Sequence, residues 1–436
     1  MIQAYHERYE RPDNCSITTR KYHKRKYCKL STEGAIISTK YTMTFLIAGL
    51  FAAILVSGCI APLIGQTENS GTSSLQFVSS YENGDRYLAG NYTVIVLNGT
   101  YREMGRQYGG LMKDELLAEY AMITTELQAR GYTIDEIRSL VRDNEKFLPE
   151  RIKEIYRGMA EVTGLTEDDA YVLYYGPILY LTTPYACSYL AVWDEYTVNG
   201  SVVVSRNWDT SDELEPFNPY YVLAVYNPTD GSNSVAAFSP AAAAAETLMN
   251  SKGLYISDDA SGQRISAPEN RQEILAAFFG LMLDFSDLDG LDAGIRALRP
   301  GGTIIVDAAG PTGAYVYEVG LVETIQRTGN GVIAAANHFV DPSWTGIVPE
   351  PNSVIRYDNL LRQAEEAKGT IDGEKMVEIR DVAYEDGGAT FTHTVFDGIP
   401  CSSNHQLVFV PADETLWIKV VDNDWQEVDL APLFAE

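Results

Sequence analysis

Two textures divide the chain after its first eighty residues. Up to about residue 181, apolar positions recur every three or four residues, the period of helices that bury one face. Beyond that point, short runs rich in Val, Ile, Tyr and Phe are parted by Gly, Asn, Asp and Pro, the texture of strands and turns. YTVIVL at 92–97 predicts a strand, Asn98-Gly99-Thr100 a turn, and 100–128 a helical stretch; further helices are predicted at 133–145, 149–163 and 167–181. Thr166 with Glu167, Asp168 and Asp169 behind it reads as the N-terminal cap of the last. YLAVWDEY, SVVVSRNW, YYVLAVYN and SVAAFS then read as strands, 269–284 and 287–298 as helices, and GGTIIVDAAG, GAYVYEVG and VIAAAN as strands. A helix at 356–368 and the strands HQLVFVP and TLWIKVV complete the pattern. It predicts an α+β layered fold, antiparallel sheets with helices outside. No internal repeat is present, and Ala241–Ala245 reads as a tightly packed segment.

The first sixty residues read as an address. Met43 to Gly58, MTFLIAGLFAAILVSG, is uncharged and mostly apolar, and Lys21, Lys24, Arg25, Lys26, Lys29 and Lys40 lie upstream. A basic flank, a short apolar stretch and small residues at its end describe a secretory signal, too short for the roughly 20 residues of a membrane span. Val56-Ser57-Gly58-Cys59 resembles a lipobox, in which Cys59 becomes the first mature residue and carries lipid; an uncleaved signal anchor is the alternative. Met43 competes with Met1 as the start. Both readings tether the body outside the cytoplasm, at the cell surface, with residues 60–80 as a flexible small-polar tether behind the leader 1–59.

Charge sharpens this division. Residues 1–42 hold nine of the 33 Lys+Arg and four of the 60 Asp+Glu, a balance of +5, which leaves 24 basic and 56 acidic residues, −32, for the rest. So acidic a body repels phosphate backbones, so no nucleic-acid partner is expected. The five cysteines, Cys15, Cys28, Cys59, Cys187 and Cys401, are too scattered for a disulfide framework. His338, His393 and His405 are isolated and no CxxC or HExxH occurs, so no metal and no cofactor are expected. Gly329-Asn330-Gly331-Val332-Ile333-Ala334 matches a dinucleotide fingerprint by letters, but a polar turn precedes it and a strand follows, the wrong context. Neither a GxSxG elbow nor a phosphate-cradling loop is present.

Cys187 stands where the two textures meet, in Pro184-Tyr185-Ala186-Cys187-Ser188. One hairpin later comes Arg206-Asn207-Trp208-Asp209, so paired antiparallel strands would bring thiol, cation and carboxylate together. A cation beside a thiol favours thiolate. Taken alone, the same residues also suit a structural cysteine and a surface turn. The stretch ACSYLAVWDEYTVNGSVVVSRNWD resembles the nucleophile segment of N-terminal-nucleophile (Ntn) hydrolases with Cys, in the acyl-coenzyme A:6-aminopenicillanic acid acyltransferase family, with choloylglycine hydrolases as cousins. Gly99-Thr100-x-x-Glu103-x-Gly105-x-x-x-Gly109, Met249-Asn250-x-x-Gly253-Leu254 and Ala336-Asn337-His338-Phe339 resemble three more of that family's segments, in the same order.

The resemblance implies a four-layer αββα sandwich, a helical pro-segment at 81–186, a catalytic chain at 187–436 and self-cleavage between Ala186 and Cys187, the two fragments staying associated. It implies Cys187 as nucleophile, its new α-amine as base, Arg206 and Asp209 as supports and Asn337 as oxyanion donor. The α-amine suits that task, since its ordinary pKa of about 7.7–8.0 lies near working pH. The substrate implied is a small acyl-amide or acyl-thioester. Asn207 and Trp208 read as support and packing, His338 as packing and Cys401 as a buried small side chain. One departure is Ser257-Asp258-Asp259-Ala260-Ser261, where choloylglycine hydrolases carry an oxyanion-hole Asn. A Cys dipeptidase of the same superfamily and a ligand-binding surface lipoprotein on an inactive scaffold are the competing readings.

Overall fold

The computed structural model describes residues 75–182, 186–261, 272–345, 348–396 and 398–435. The leader, Cys59 and most of the stretch read as tether lie outside them. Three strands come first, β1 (Gln76–Tyr81), β2 (Gly84–Ala89) and β3 (Tyr92–Gly99). β1 overlaps the stretch read as tether, 60–80, and β1 and β2 add two strands ahead of the one expected at 92–97. Six helices follow: α1 (Tyr101–Leu111), α2 (Lys113–Ala129), α3 (Ile134–Glu145), α4 (Glu150–Thr163), α5 (Glu167–Tyr174) and α6 (Gly176–Tyr180). The helix predicted over 167–181 is thus two, because Pro177 has no N–H for an unbroken ladder and instead sits in the first turn of α6.

The hairpin β4 (Ala186–Asp194) and β5 (Gly200–Ser211) opens the strand-rich part, followed by β6 (Tyr221–Pro228), β7 (Val235–Pro240), β8 (Thr247–Asn250) and β9 (Tyr255–Ala260). Then come α7 (Ile274–Asp284), α8 (Leu288–Ala297), β10 (Ile304–Gly310), β11 (Gly313–Val319), β12 (Thr324–Thr328) and β13 (Val332–Ala335). The last elements are α9 (Pro351–Glu366), α10 (Gly373–Asp381), β14 (Thr394–Phe396), β15 (Ile399–Val410), β16 (Thr415–Val420) and β17 (Gln426–Asp429). α9 begins five residues earlier than predicted, at Pro351, where a fixed φ suits a first helical residue. β15 begins six residues earlier than HQLVFVP, through the polar run Cys401-Ser402-Ser403-Asn404.

Ten strands form one sheet in the order β1-β2-β3-β6-β7-β8-β9-β10-β11-β12. Its one parallel pair is β3–β6, and the long excursion through six helices and the β4–β5 hairpin is the crossover that such a pair requires. The second sheet runs β13-β4-β5-β15-β16-β17, with β14 on β15. Tyr92, Tyr189, Phe238, Ile305, Leu407 and Phe409 fill the space between the sheets. Helical side chains such as Met104, Tyr156 and Phe278 share a core with Leu97 and Val306 of the ten-stranded sheet. Leu360 and Ala364 of α9, with Met376 and Ile379 of α10, cover Leu190 and Val408 of the other sheet.

Two of the sequence signatures turn out to be packing devices. In the first, Thr100 and Glu103 form a capping box at the start of α1. A Cβ on Gly105 would lie 1.9 Å from the Ile155 carbonyl oxygen of α4, and one on Gly158 of α4 would lie 2.1 Å from that of Arg102, so the two helices meet backbone to backbone. In the second, Asn250 Oδ1 accepts from Lys252 and Leu254 N–H (both 3.0 Å), while Nδ2 donates to Met282 O at 2.9 Å and Phe285 O at 3.0 Å. The β8–β9 turn is thereby tied to the end of α7.

Candidate active site

β4 and β5 pair in a register that sets Cys187 opposite Trp208 and Ala186 opposite Asp209. On the other side of β4, β13 ends with Ala335 opposite Tyr189. The ladder therefore stops two residues short of Cys187, and side chains take over. The Cys187 N–H donates to Asn337 Oδ1 at 3.0 Å, and its carbonyl accepts from Arg356 NH1 at 2.5 Å. Asn337 reaches this place because the chain turns after β13, with His338 N–H donating to the Ala336 carbonyl at 2.9 Å. Cys187 Sγ lies 3.4 Å from Arg206 NH2.

The structure thus brings Cys187, Arg206 and Asn337 into direct contact, and joins Asp209 to them through Arg356. Arg356 NH1 also donates to Asp209 Oδ2 at 3.1 Å, and NH2 to Asn337 Oδ1 at 2.7 Å. Ser403 Oγ donates to Asp209 Oδ1 at 2.5 Å. Arg356 and Asp209 are both fully buried. A buried pair of this kind adds little net stability, but loss of one partner strands the other. Arg356 and Ser403 were not singled out in the sequence. Arg356 sits inside an ordinary amphipathic helix and Ser403 in a polar run ahead of an apolar strand, and neither pattern marks a site.

Two expectations change in detail. The first concerns the thiol. Burial pushes the Cys187 pKa well up; Arg206 works against this, but Asp259, Asp258 and Asp209 add to the rise. In the intact chain desolvation therefore outweighs the neighbouring cation, and the thiol is held protonated. The second concerns Asn337. Its Nδ2 donates to the Ala260 carbonyl at 2.9 Å, while its Oδ1 accepts from two donors. Donors on one side and an acceptor on the other fix the amide's orientation. In this arrangement Asn337 is an acceptor for the Cys187 backbone, and its own donor is already committed.

Arg206 is itself enclosed. NH1 donates to Thr247 Oγ1 at 2.8 Å and Glu246 Oε1 at 3.2 Å, and NH2 donates to the Asp258 carbonyl as well as facing the thiol. Its Nε has no hydrogen-bond partner and lies 3.9 Å from Asp259 Oδ1. Asp258 and Asp259 are buried carboxyls. Burial raises Asp258 to about 7 and Asp259 to about 6, Arg206 opposing in both cases.

The remaining candidates have structural roles. Asn207 Nδ2 donates to Thr390 Oγ1 at 2.8 Å and ties β5 to the chain after α10. Trp208 packs on the His405 ring, centroids 5.3 Å apart. His338 Nδ1 lies 2.7 Å from Ser353 Oγ and its pKa falls to about 4, chiefly through burial, so it stays neutral. Cys401 is half-buried, and burial raises its thiol to about 11. His393, isolated in sequence, meets Asp212 and Glu215 at the surface, and its ligand atoms and theirs lie within 4.8 Å of one another. His393 Nδ1 is 2.8 Å from Asp212 Oδ2, and this contact raises the imidazole's pKa, so the group reads as an ion pair. Among the described residues no helix is long and apolar enough to cross a membrane.

No family model matches the chain, and no curated protein does. Solved structures similar to it include a mutant of conjugated bile acid hydrolase from Clostridium perfringens, at 12% identity over 57% of this chain and 94% of that one, with a TM-score of 0.42. A second variant of that hydrolase gives 11% identity over 57% and 95%, with a TM-score of 0.40. Penicillin V acylase from Agrobacterium tumefaciens gives 12% over 57% and 88%, with a TM-score of 0.38. All three likenesses are slight.

Proposed function

We propose that this chain is a self-processing thiol amidohydrolase or N-acyltransferase of the Ntn kind, acting on a linear N-acyl amide bond. The observation that carries the reading is the holding of one residue, Cys187, by three different side chains. Asn337 takes its N–H, Arg356 its carbonyl, and Arg206 stands at its sulfur. A merely structural cysteine needs none of these. On this reading the helix–sheet–sheet–helix packing is the αββα sandwich, residues 81–186 are the pro-segment and 187–436 the catalytic chain.

The chemistry runs in two stages. The Cys187 sulfur, on losing its proton, attacks the Ala186 carbonyl; the C–N bond breaks, the nitrogen takes a proton, and an Ala186–sulfur thioester remains. Water hydrolyses it, leaving an Ala186 carboxylate and a free Cys187 α-amine. That amine then serves as base for the thiol against a substrate amide, giving a thioester acyl-enzyme and a released amine. Water or a second amine takes the acyl group. No metal or cofactor is called on. The leader reading adds export and surface anchoring through Cys59 lipid or an uncleaved anchor.

N-terminal sequencing of purified protein, paired with turnover of N-acyl amides and of dipeptides, tests this. A fragment beginning at Cys187, and loss of both cleavage and turnover in Cys187→Ala, are expected. Turnover of dipeptides alone moves the reading to a dipeptidase. An intact chain without turnover of either moves it to a binding protein.

A further inference from the structure

The guanidinium of Arg206 is contested by three buried carboxylates. Glu246 holds NH1 at 3.2 Å, Asp259 lies 3.9 Å from Nε, and Asp258 Oδ1 lies 4.0 Å from NH2, whose nearer partner is the Asp258 carbonyl. Neither oxygen of Asp259 has a hydrogen-bond partner, and Asp259 is fully buried, so it is an unfilled acceptor within one small rotation of the fork. An unpaired buried carboxylate attracts a cation strongly in a medium of low polarity. Yet the fork is turned toward Glu246, and that turn leaves NH2 aimed at Cys187 Sγ, 3.4 Å away.

Beside Glu246 stands His405. Its Nε2 lies 2.9 Å from Glu246 Oε1, the same oxygen that takes Arg206 NH1, as a close charged contact rather than an aligned hydrogen bond. The other ring nitrogen, Nδ1, is 3.0 Å from the Tyr221 hydroxyl, whose oxygen also lies 2.7 Å from Asn404 Oδ1; with the hydroxyl proton given to Nδ1, Nε2 carries the ring's proton toward Glu246. Trp208 covers the ring. His405 is fully buried, and the ionisable groups bearing on it are Glu246, Arg206, Asp209 and Tyr221. Tyr221, His405, Glu246 and Arg206 thus form a chain from β6 through β15, the residue before β8 and β5 to the thiol on β4. Apart from Arg206, none of it was visible in the sequence, where His405 stands alone ahead of an apolar run.

We infer that His405 and Glu246 are positioning residues that hold the Arg206 fork on the Cys187 thiol and away from Asp259. The inference rests on the reading of Cys187 as the nucleophile. Without the His405 contact, Glu246 loses its fixed place, Arg206 turns to Asp259, and NH2 leaves the sulfur. The thiol then loses the cation that faces its sulfur and becomes harder to ionise.

The test is a pH titration of Cys187 by nuclear magnetic resonance in purified protein carrying ¹³C at the cysteine Cβ, wild type and variants compared in the same cleavage state as judged by fragment mass, the signal assigned by its absence in Cys187→Ala. His405→Leu and Glu246→Gln should each raise the ionisation midpoint by about one unit, a tenfold loss of thiolate at a given pH below it. Adding Asp259→Asn to either should bring the midpoint back toward wild type, because the competing acceptor is gone. A simple packing defect would not be repaired by a change on β9. If the midpoint is unmoved in a folded single variant, or Asp259→Asn repairs neither, the inference fails. Glu246→Gln keeps side-chain volume and decides the matter if His405→Leu does not fold. Cleavage and turnover persisting in Cys187→Ala would instead sink the nucleophile reading while leaving this midpoint comparison intact.

Discussion

Asn337 offers the sharpest test at the scale of one residue, because its two ends do different things. Oδ1 accepts from the Cys187 N–H and from Arg356, and Nδ2 donates to the Ala260 carbonyl. Asn337→Ala removes both and should slow self-cleavage and turnover by roughly 10²–10³, the size of a lost oxyanion-hole contact. Asn337→Asp keeps the acceptor and loses the donor. If holding the Cys187 backbone is what matters, Asn337→Asp should still self-cleave, as seen by gel mobility and fragment mass. If the amide is needed as a donor in the transition state, Asn337→Asp should be as slow as Asn337→Ala. Asp258 supports a second test, through pH. Burial raises its carboxyl to about 7 in the folded chain, against an ordinary value near 3.8. The folded state therefore binds the proton more tightly than the unfolded one, so this group opposes folding increasingly as pH climbs from about 4 to about 7. Asp258→Asn should stabilise the protein above pH 7 and do little near pH 4; melting temperatures across that range that differ by a constant amount would contradict it.

Among the elements, the α1–α4 contact is the least forgiving. The Cβ positions that would meet backbone oxygens at 1.9 Å and 2.1 Å leave no flexible side chain to yield. Gly105→Ala or Gly158→Ala should cost about 3 kcal/mol in denaturant unfolding, the upper end for overpacking. Gly280 in α7 is the control, since nothing lies within 4 Å of its Cβ position. Gly280→Ala should stabilise by about 0.5–1 kcal/mol through helix propensity. Equal effects at the two kinds of site would mean that the close helix contact is not what the signature glycines provide.

For the molecule as a whole, the decisive question is what each fragment keeps of the other after a cut at Ala186. The N-terminal fragment would supply β1, β2 and β3 to the ten-stranded sheet, with β3 hydrogen-bonded to β6 of the 250-residue fragment that begins at Cys187. It would also supply most helices of the core shared with α7 and α8. Stripping it away would bare that apolar face and leave β6 an open edge. The fragments should therefore copurify through gel filtration and part only in denaturant; separation in native buffer would refute the pairing. A further whole-chain prediction concerns the leader. Cys59→Ser should leave Gly58 uncut or release the protein from the membrane fraction, and fractionation like wild type would favour a plain anchor.

The periodic signals are local, and that is why the sequence by itself determined so much: helices at 133–145, 149–163 and 287–298 and strands at 92–97, 201–208 and 313–320 each lie within a few residues of the observed element. The β4–β5 hairpin was legible too, since a strand, a turn and a strand leave few other registers for Cys187 and the Arg206–Asp209 run. Boundaries were missed where a terminus depends on a partner elsewhere: β15 extends through Ser402 and Ser403 because β5 is there to pair with them. The site's second half could not be read at all. Arg356, Ser403, Glu246 and His405 are ordinary letters in a helix, a strand and a loop, 59 to 218 residues from Cys187. Only the stacking of the two sheets and α9 brings them to one buried point. The same stacking reversed the expectation for the thiol, because the desolvation that raises its pKa exists only once both sheets have closed over it.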